Sequence, residues 1–126
     1  MATRGIRGAI AAAADEPQAI LLATQELLRE IMSQNDGLRV EDIASAFFTL
    51  TEDLCSAYPA AAARQMGWDE VPMLCAREIP LPGGLPRIIR VLIHWNTDMP
   101  ASLIRHVYLH EAAKLRPDLA AAQQQS

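Results

Sequence analysis

Lysine is nearly missing from this chain of 126 residues: Lys114 stands alone beside ten arginines. Eleven basic residues face fifteen acidic ones, a formal net charge of -4, so no general basic field exists to attract nucleic acid. Cysteine is scarce too. Cys55 and Cys75 read as reduced thiols of a cytoplasmic protein, not as a disulfide framework. Aromatic residues make up only 5%, and much of the 51% hydrophobic content is alanine, which buries little area per residue. Some apolar surface is therefore expected to be shared between subunits. No apolar run approaches the ~18 residues of a membrane span. Ala9 to Ala14 is too short for a secretory segment and soon meets Asp15 and Glu16.

What is present alternates between strand and helix patterns. Thr3 to Ile10 reads as a strand carrying Arg4 and Arg7. Asp15 looks like a helix N-cap, with Gln18 three residues on and Pro17 in the first turn. Ile20, Thr24, Leu27, Leu28 and Ile31 share one helical face, and Asn35-Asp36-Gly37 ends the helix. Ile43 to Leu50 reads as a strand with Ile43 and Phe47 on one face, Phe48 and Leu50 on the other. Tyr58-Pro59 opens a second helix that Gly67 closes. Val71 to Ile79 is a third strand, and Pro80 to Pro86, with Gly83-Gly84, is irregular. Arg87 to Asn96, apolar on both faces, reads as a central strand. A short strand at His106 to Leu109 follows, between helical turns at Ala101 to Arg105 and Ala112 to Leu115. The pattern is one α+β domain over residues 1–119, with a mixed sheet and two main helices, then a flexible tail over 120–126.

One residue stands out. Arg90 is a cation within Ile89-Arg90-Val91, costly there unless it is paired or faces a polar cavity. Glu78, near the end of the preceding strand, is the obvious partner. Two readings stay open on the residues alone: an ion pair buried at a subunit contact, or a functional guanidinium. His106 and His110 have a zinc-like spacing only on a helix, and Lys114 stands where a zincin motif needs its second histidine, so no metal site is expected. Gly83-Gly84 lacks a P-loop lysine, and Trp68 and Trp95 read as packing residues.

Several segments carry a resemblance in order and spacing. They are Arg4-Gly5-Ile6-Arg7-Gly8-Ala9, Tyr58-Pro59-Ala60, Gly67-Trp68 with Val71-Pro72, Cys75 with Glu78, Gly83-Gly84-Leu85 leading to Ile89-Arg90-Val91, Ile104 to Leu109, and Leu115 to Leu119. Together they resemble the AroH-class chorismate mutases over nearly the whole chain. The resemblance implies a homotrimer around a pseudo-α/β-barrel core, with cofactor-free sites at the subunit interfaces that turn chorismate into prephenate for phenylalanine and tyrosine synthesis.

The resemblance also implies roles. Arg90 and Glu78 are expected to be catalytic, Arg7 and Tyr108 to hold substrate, and Cys75 to meet the ring hydroxyl through its backbone. Tyr58 and Ala60 are expected to wall the pocket from a neighbouring chain, Leu74 to bind substrate from the position before Cys75, and Arg64, Leu115 and Arg116 to lie at the rim. The tail is expected to cover the mouth. This chain departs from the family pattern at Ala61, where lysine is common, at Leu74, where threonine is common, and at Tyr58, where phenylalanine is common. Two other functions fit the same fold: a trimeric enamine or imine deaminase, and a trimer that only binds dicarboxylates.

Overall fold

The computed structural model describes residues 2–118; the sequence expectations for Leu119 and the tail lie outside the described residues. A five-stranded mixed sheet forms from β1 (Thr3–Ala11), β2 (Ile43–Leu50), β3 (Met73–Arg77), β4 (Ile88–Asn96) and β5 (Val107–Leu109), in the order β3-β2-β4-β1-β5. The two inner pairings around β4 are antiparallel, and the two outer ones, β2 with β3 and β1 with β5, are parallel. β4 is therefore central, as its double-sided apolar pattern suggests.

Two α-helices, α1 (Pro17–Gln34) and α2 (Pro59–Gln65), cover one face. The expected stripe Ile20, Thr24, Leu27, Leu28 and Ile31 is buried, packed over Ile6, Ile10, Phe48, Ile89 and Ile93. Trp68 and Trp95 are core residues. α1 lies so close to β1 that a Cβ on Gly8 would sit 2.8 Å from Ile31 Cδ1 and 3.2 Å from Leu27 Cδ1. Gly8 thus lets helix and sheet meet.

Three expectations need correction. The N-cap of α1 is Glu16, without a side-chain cap bond. Asp15 is drawn away instead: its carboxylate accepts from the Cys55 N–H (2.9 Å), the Ser56 N–H (3.1 Å) and the Ser56 hydroxyl (2.7 Å). Those donors and the Cys55 thiol, 3.2 Å from Asp15 Oδ2, hold the carboxyl below its ordinary pKa, the Cys55 N–H contributing most, while the same carboxylate raises the Cys55 thiol. Ile43 and Phe47 do not share a face. A register shift between Ile43 and Ser45 inserts Ala44 as a bulge, which turns Ile43 into the core with Ala46, Phe48 and Leu50 and leaves Phe47 outside. The third strand is shorter than Val71–Ile79, spanning only Met73–Arg77, though the Glu78 N–H still bonds Leu50 O at 2.8 Å.

Candidate active site

The sheet face without helices carries two rows of side chains, because residues directly opposite on paired strands share a face. In one row Tyr108, Ala9, Arg90, Thr49 and Ala76 run across all five strands. In the next, Arg7, Leu92, Phe47 and Leu74 run across four. Two-residue periodicity then places Arg7 on the same face as Ala9 and Arg90. The arginine that looks anomalous in sequence is thus on the uncovered side of a central strand.

Arg90 Nε lies 2.7 Å from Glu78 Oε1, with the arginine side chain 46% exposed and the glutamate 20%. This is the expected pair, but it is an exposed-face pair within one chain. Among the described residues, the η nitrogens of Arg90 enter no ion pair. Glu78 thereby fixes one edge of the guanidinium and leaves the other edge available to an incoming acceptor. Beside Arg90, the Thr49 hydroxyl is sealed from solvent and has no partner among the described residues.

Arg90 and Glu78 border a cleft of about 610 Å³, whose walls include Thr51, Asp53, Leu85, Ile88 and Leu115. Sequence reasoning missed Asp53. Its carboxylate accepts from the Arg87 N–H at 2.9 Å and from the Thr51 hydroxyl at 2.6 Å, and Thr51 Oγ1 in turn accepts from the Ile88 N–H at 3.0 Å. This knot pins the base of the proline-rich loop, where Arg87 has a left-handed φ of 55°. The signal was the short Thr51-x-Asp53 spacing, which suits local bonds to backbone N–H groups.

The other expected residues divide. Tyr108 is buried against Ala9, Ile88 and Ala112. Arg116 is partly exposed and meets Asp118 at 3.0 Å. Tyr58 and Cys75 border a different cavity of about 330 Å³, with Arg77 and Ala76. Cys75 lies opposite Phe48, so its side chain packs toward the helix-side core, whereas its neighbour Leu74 stands 64% exposed on the uncovered face. Tyr58 is 71% exposed. Ala60 is buried within α2, and Arg64 is exposed in that helix's last turn. One chain therefore gathers Arg7, Glu78, Arg90, Tyr108 and Leu115 around one face and does not bring Tyr58, Ala60 or Arg64 to them. Among the described residues no cluster of histidine, cysteine, aspartate and glutamate is arranged to hold a metal, and no helix is long and apolar enough to cross a membrane.

Fold and site together define an α+β protein whose open sheet face presents guanidinium groups, a chemistry suited to carboxylates. The family model "Chorismate mutase type I" matches residues 3–119. The chain is 58% identical over 120 residues to Chorismate mutase AroH of Thermus thermophilus, covering 95% of this chain and 98% of that one. It is 42% identical over 120 residues to Chorismate mutase AroH of Bacillus subtilis (strain 168), covering 94% of each. A solved chorismate mutase from Clostridium thermocellum superposes with a TM-score of 0.85 at 44% identity, covering 87% of this chain and 97% of that one. The chain belongs to the type I chorismate mutase family.

Proposed function

We propose that this chain rearranges chorismate to prephenate as an isomerase, with no cofactor, in the cytoplasm, and that it works as a homotrimer with sites between subunits. The observation that carries the reading is Arg90: a permanently charged fork, oriented by Glu78 on the uncovered face of the central strand, in a chain of this family. Family, relatives and structural neighbour favour this reading over the deaminase and the dicarboxylate-binding trimer.

The chemistry asks little of the protein's protons. One C–O bond breaks as one C–C bond forms within a single molecule, so neither a nucleophile nor a general base is needed. The protein must hold a flexible side chain folded over its ring, which removes entropy before the barrier. It must also stabilise negative charge growing on the ether oxygen as that bond stretches. In this reading Arg90 serves the ether oxygen, Arg7 and the Tyr108 hydroxyl serve a substrate carboxylate, and Glu78 accepts from the ring hydroxyl together with the backbone at Cys75. Leu115 and Arg116 line the rim.

The trimer rests on two supports. Phe47, Leu74 and Leu92 leave an apolar row on the sheet face that the helices do not cover. The site residues also fall into two groups that a single chain keeps apart. Three copies packed sheet face inward, as a pseudo-barrel, bring Tyr58, Ala60 and Arg64 of one chain to Arg90 of the next. The direct test is to mix purified protein with chorismate. Loss of chorismate's ultraviolet absorbance with prephenate appearing supports the reading; tight binding without turnover, or no binding, overturns it.

A further inference from the structure

β5 meets β1 through an unusual first bond. The Arg7 N–H donates to His106 Nδ1 at 2.9 Å, one position before the backbone ladder of Gly8 with Val107 begins. An imidazole nitrogen thus occupies the place where a strand would normally offer a carbonyl. The acceptor nitrogen must be unprotonated, so the ring carries its proton on Nε2. We propose that neutral His106 is a positioning residue for Arg7, holding the backbone from which that guanidinium reaches the substrate. This deepens the proposed function and rests on Arg7 being part of the site.

The surroundings favour the neutral ring. His106 is half-buried, and two cations face it, Arg7 from β1 and Arg116 from the chain beyond the 3-10 helix His110–Leu115. Burial, then Arg7, then Arg116 push its pKa below the ordinary histidine value. The sign follows. The bond is intact at neutral pH and is lost as pH falls through the lowered value, since a proton on Nδ1 turns the acceptor toward a donor. Arg7 then loses its backbone anchor beside the site. The reaction step itself involves no histidine, so the loss belongs in KM and not in kcat.

The test compares chorismate kinetics of the wild type, His106→Asn and His106→Ala from pH 5 to pH 8. Asparagine can present Oδ1 near the place of Nδ1 and does not titrate; alanine presents nothing. The expected results are a wild-type KM that rises on acidification, below the ordinary histidine range, while kcat stays level, an Ala variant whose KM is raised at every pH, and an Asn variant that restores a low KM without the acid rise. An Ala variant with wild-type KM overturns the proposal, as does an Asn variant with the wild type's acid limb, or affinity that improves on acidification. Nitrogen-15 NMR of histidine-labelled wild-type protein reads the same bond without a variant. The Nδ1 signal is expected to be that of an unprotonated nitrogen at neutral pH, and a protonated Nδ1 overturns the proposal. Failure of the functional reading is distinguishable, because it abolishes turnover in the wild type and leaves the NMR result standing.

Discussion

Arg90 stands on the uncovered face of the sheet and commits its Nε to Glu78, a planar geometry that lysine cannot reproduce. Arg90→Lys keeps a charge but loses the planar fork. It is expected to lower kcat by about 10²–10³, the scale seen when a donor to developing negative charge is removed, with a much smaller change in KM. Stopped assays at saturating chorismate check this, and near-normal turnover in that variant rules the role out. The anomaly was legible in sequence, because a lone cation in a central apolar strand has few affordable explanations. Which explanation holds was not legible: the strand's pattern shows that both sides are apolar, not that one side lacks a covering helix. Asp15 was misread for a related reason. Its sequence neighbours suit an N-cap, but four donors from a loop some forty residues away hold the carboxylate harder. Asp15→Ala is therefore expected to lower the melting temperature at neutral pH. That difference should shrink in acid, since a lowered carboxyl pKa contributes stability above its ordinary value and loses it as pH falls through the folded one.

At the scale of elements, the contact between α1 and β1 depends on an absent side chain. A Cβ on Gly8 meets Ile31 Cδ1 at 2.8 Å, Leu27 Cδ1 at 3.2 Å and the Val107 carbonyl at 3.3 Å. The two methyl groups can yield by rotating, but the carbonyl belongs to the β1–β5 ladder. Gly8→Ala is expected to cost about 1–3 kcal/mol, the usual range for overpacking, measured by urea unfolding. Because Gly8 adjoins Arg7, KM should rise with it. Helix α1, the Pro59 start of α2 and the punctuation at Gly37 and Gly67, both with left-handed φ, follow local chemistry and were legible. The bulge at Ala44 was not. Nothing in Ile43-Ala44-Ser45 announces an extra residue; it is the pairing of Ile43 with buried Trp95 that sets it. The Asp53 knot likewise joins segments that only the folded chain brings together.

The whole molecule presents a sheet with one face covered and one row of large apolar side chains left to something else. Composition hinted at this through its excess of alanine over bulky residues, but it could not say which face is left uncovered. If Phe47, Leu74 and Leu92 meet neighbouring copies, Leu74→Glu places a charge in that contact, and light scattering should show smaller species together with lost activity. A sharper test uses two damaged chains. Arg90→Ala and Tyr58→Ala proteins are each expected to be impaired alone. Refolded together in equal amounts as trimers, with each site taking Arg90 from one chain and Tyr58 from the next, about one quarter of sites should carry neither defect. Activity should then rise toward that fraction of the wild-type value. If both residues served a site within one chain, no combination of these subunits could produce an intact one. Mixed trimers verified by mass spectrometry that stay as inactive as their parents would therefore sink the interfacial site, while leaving the role of Arg90 to its own test.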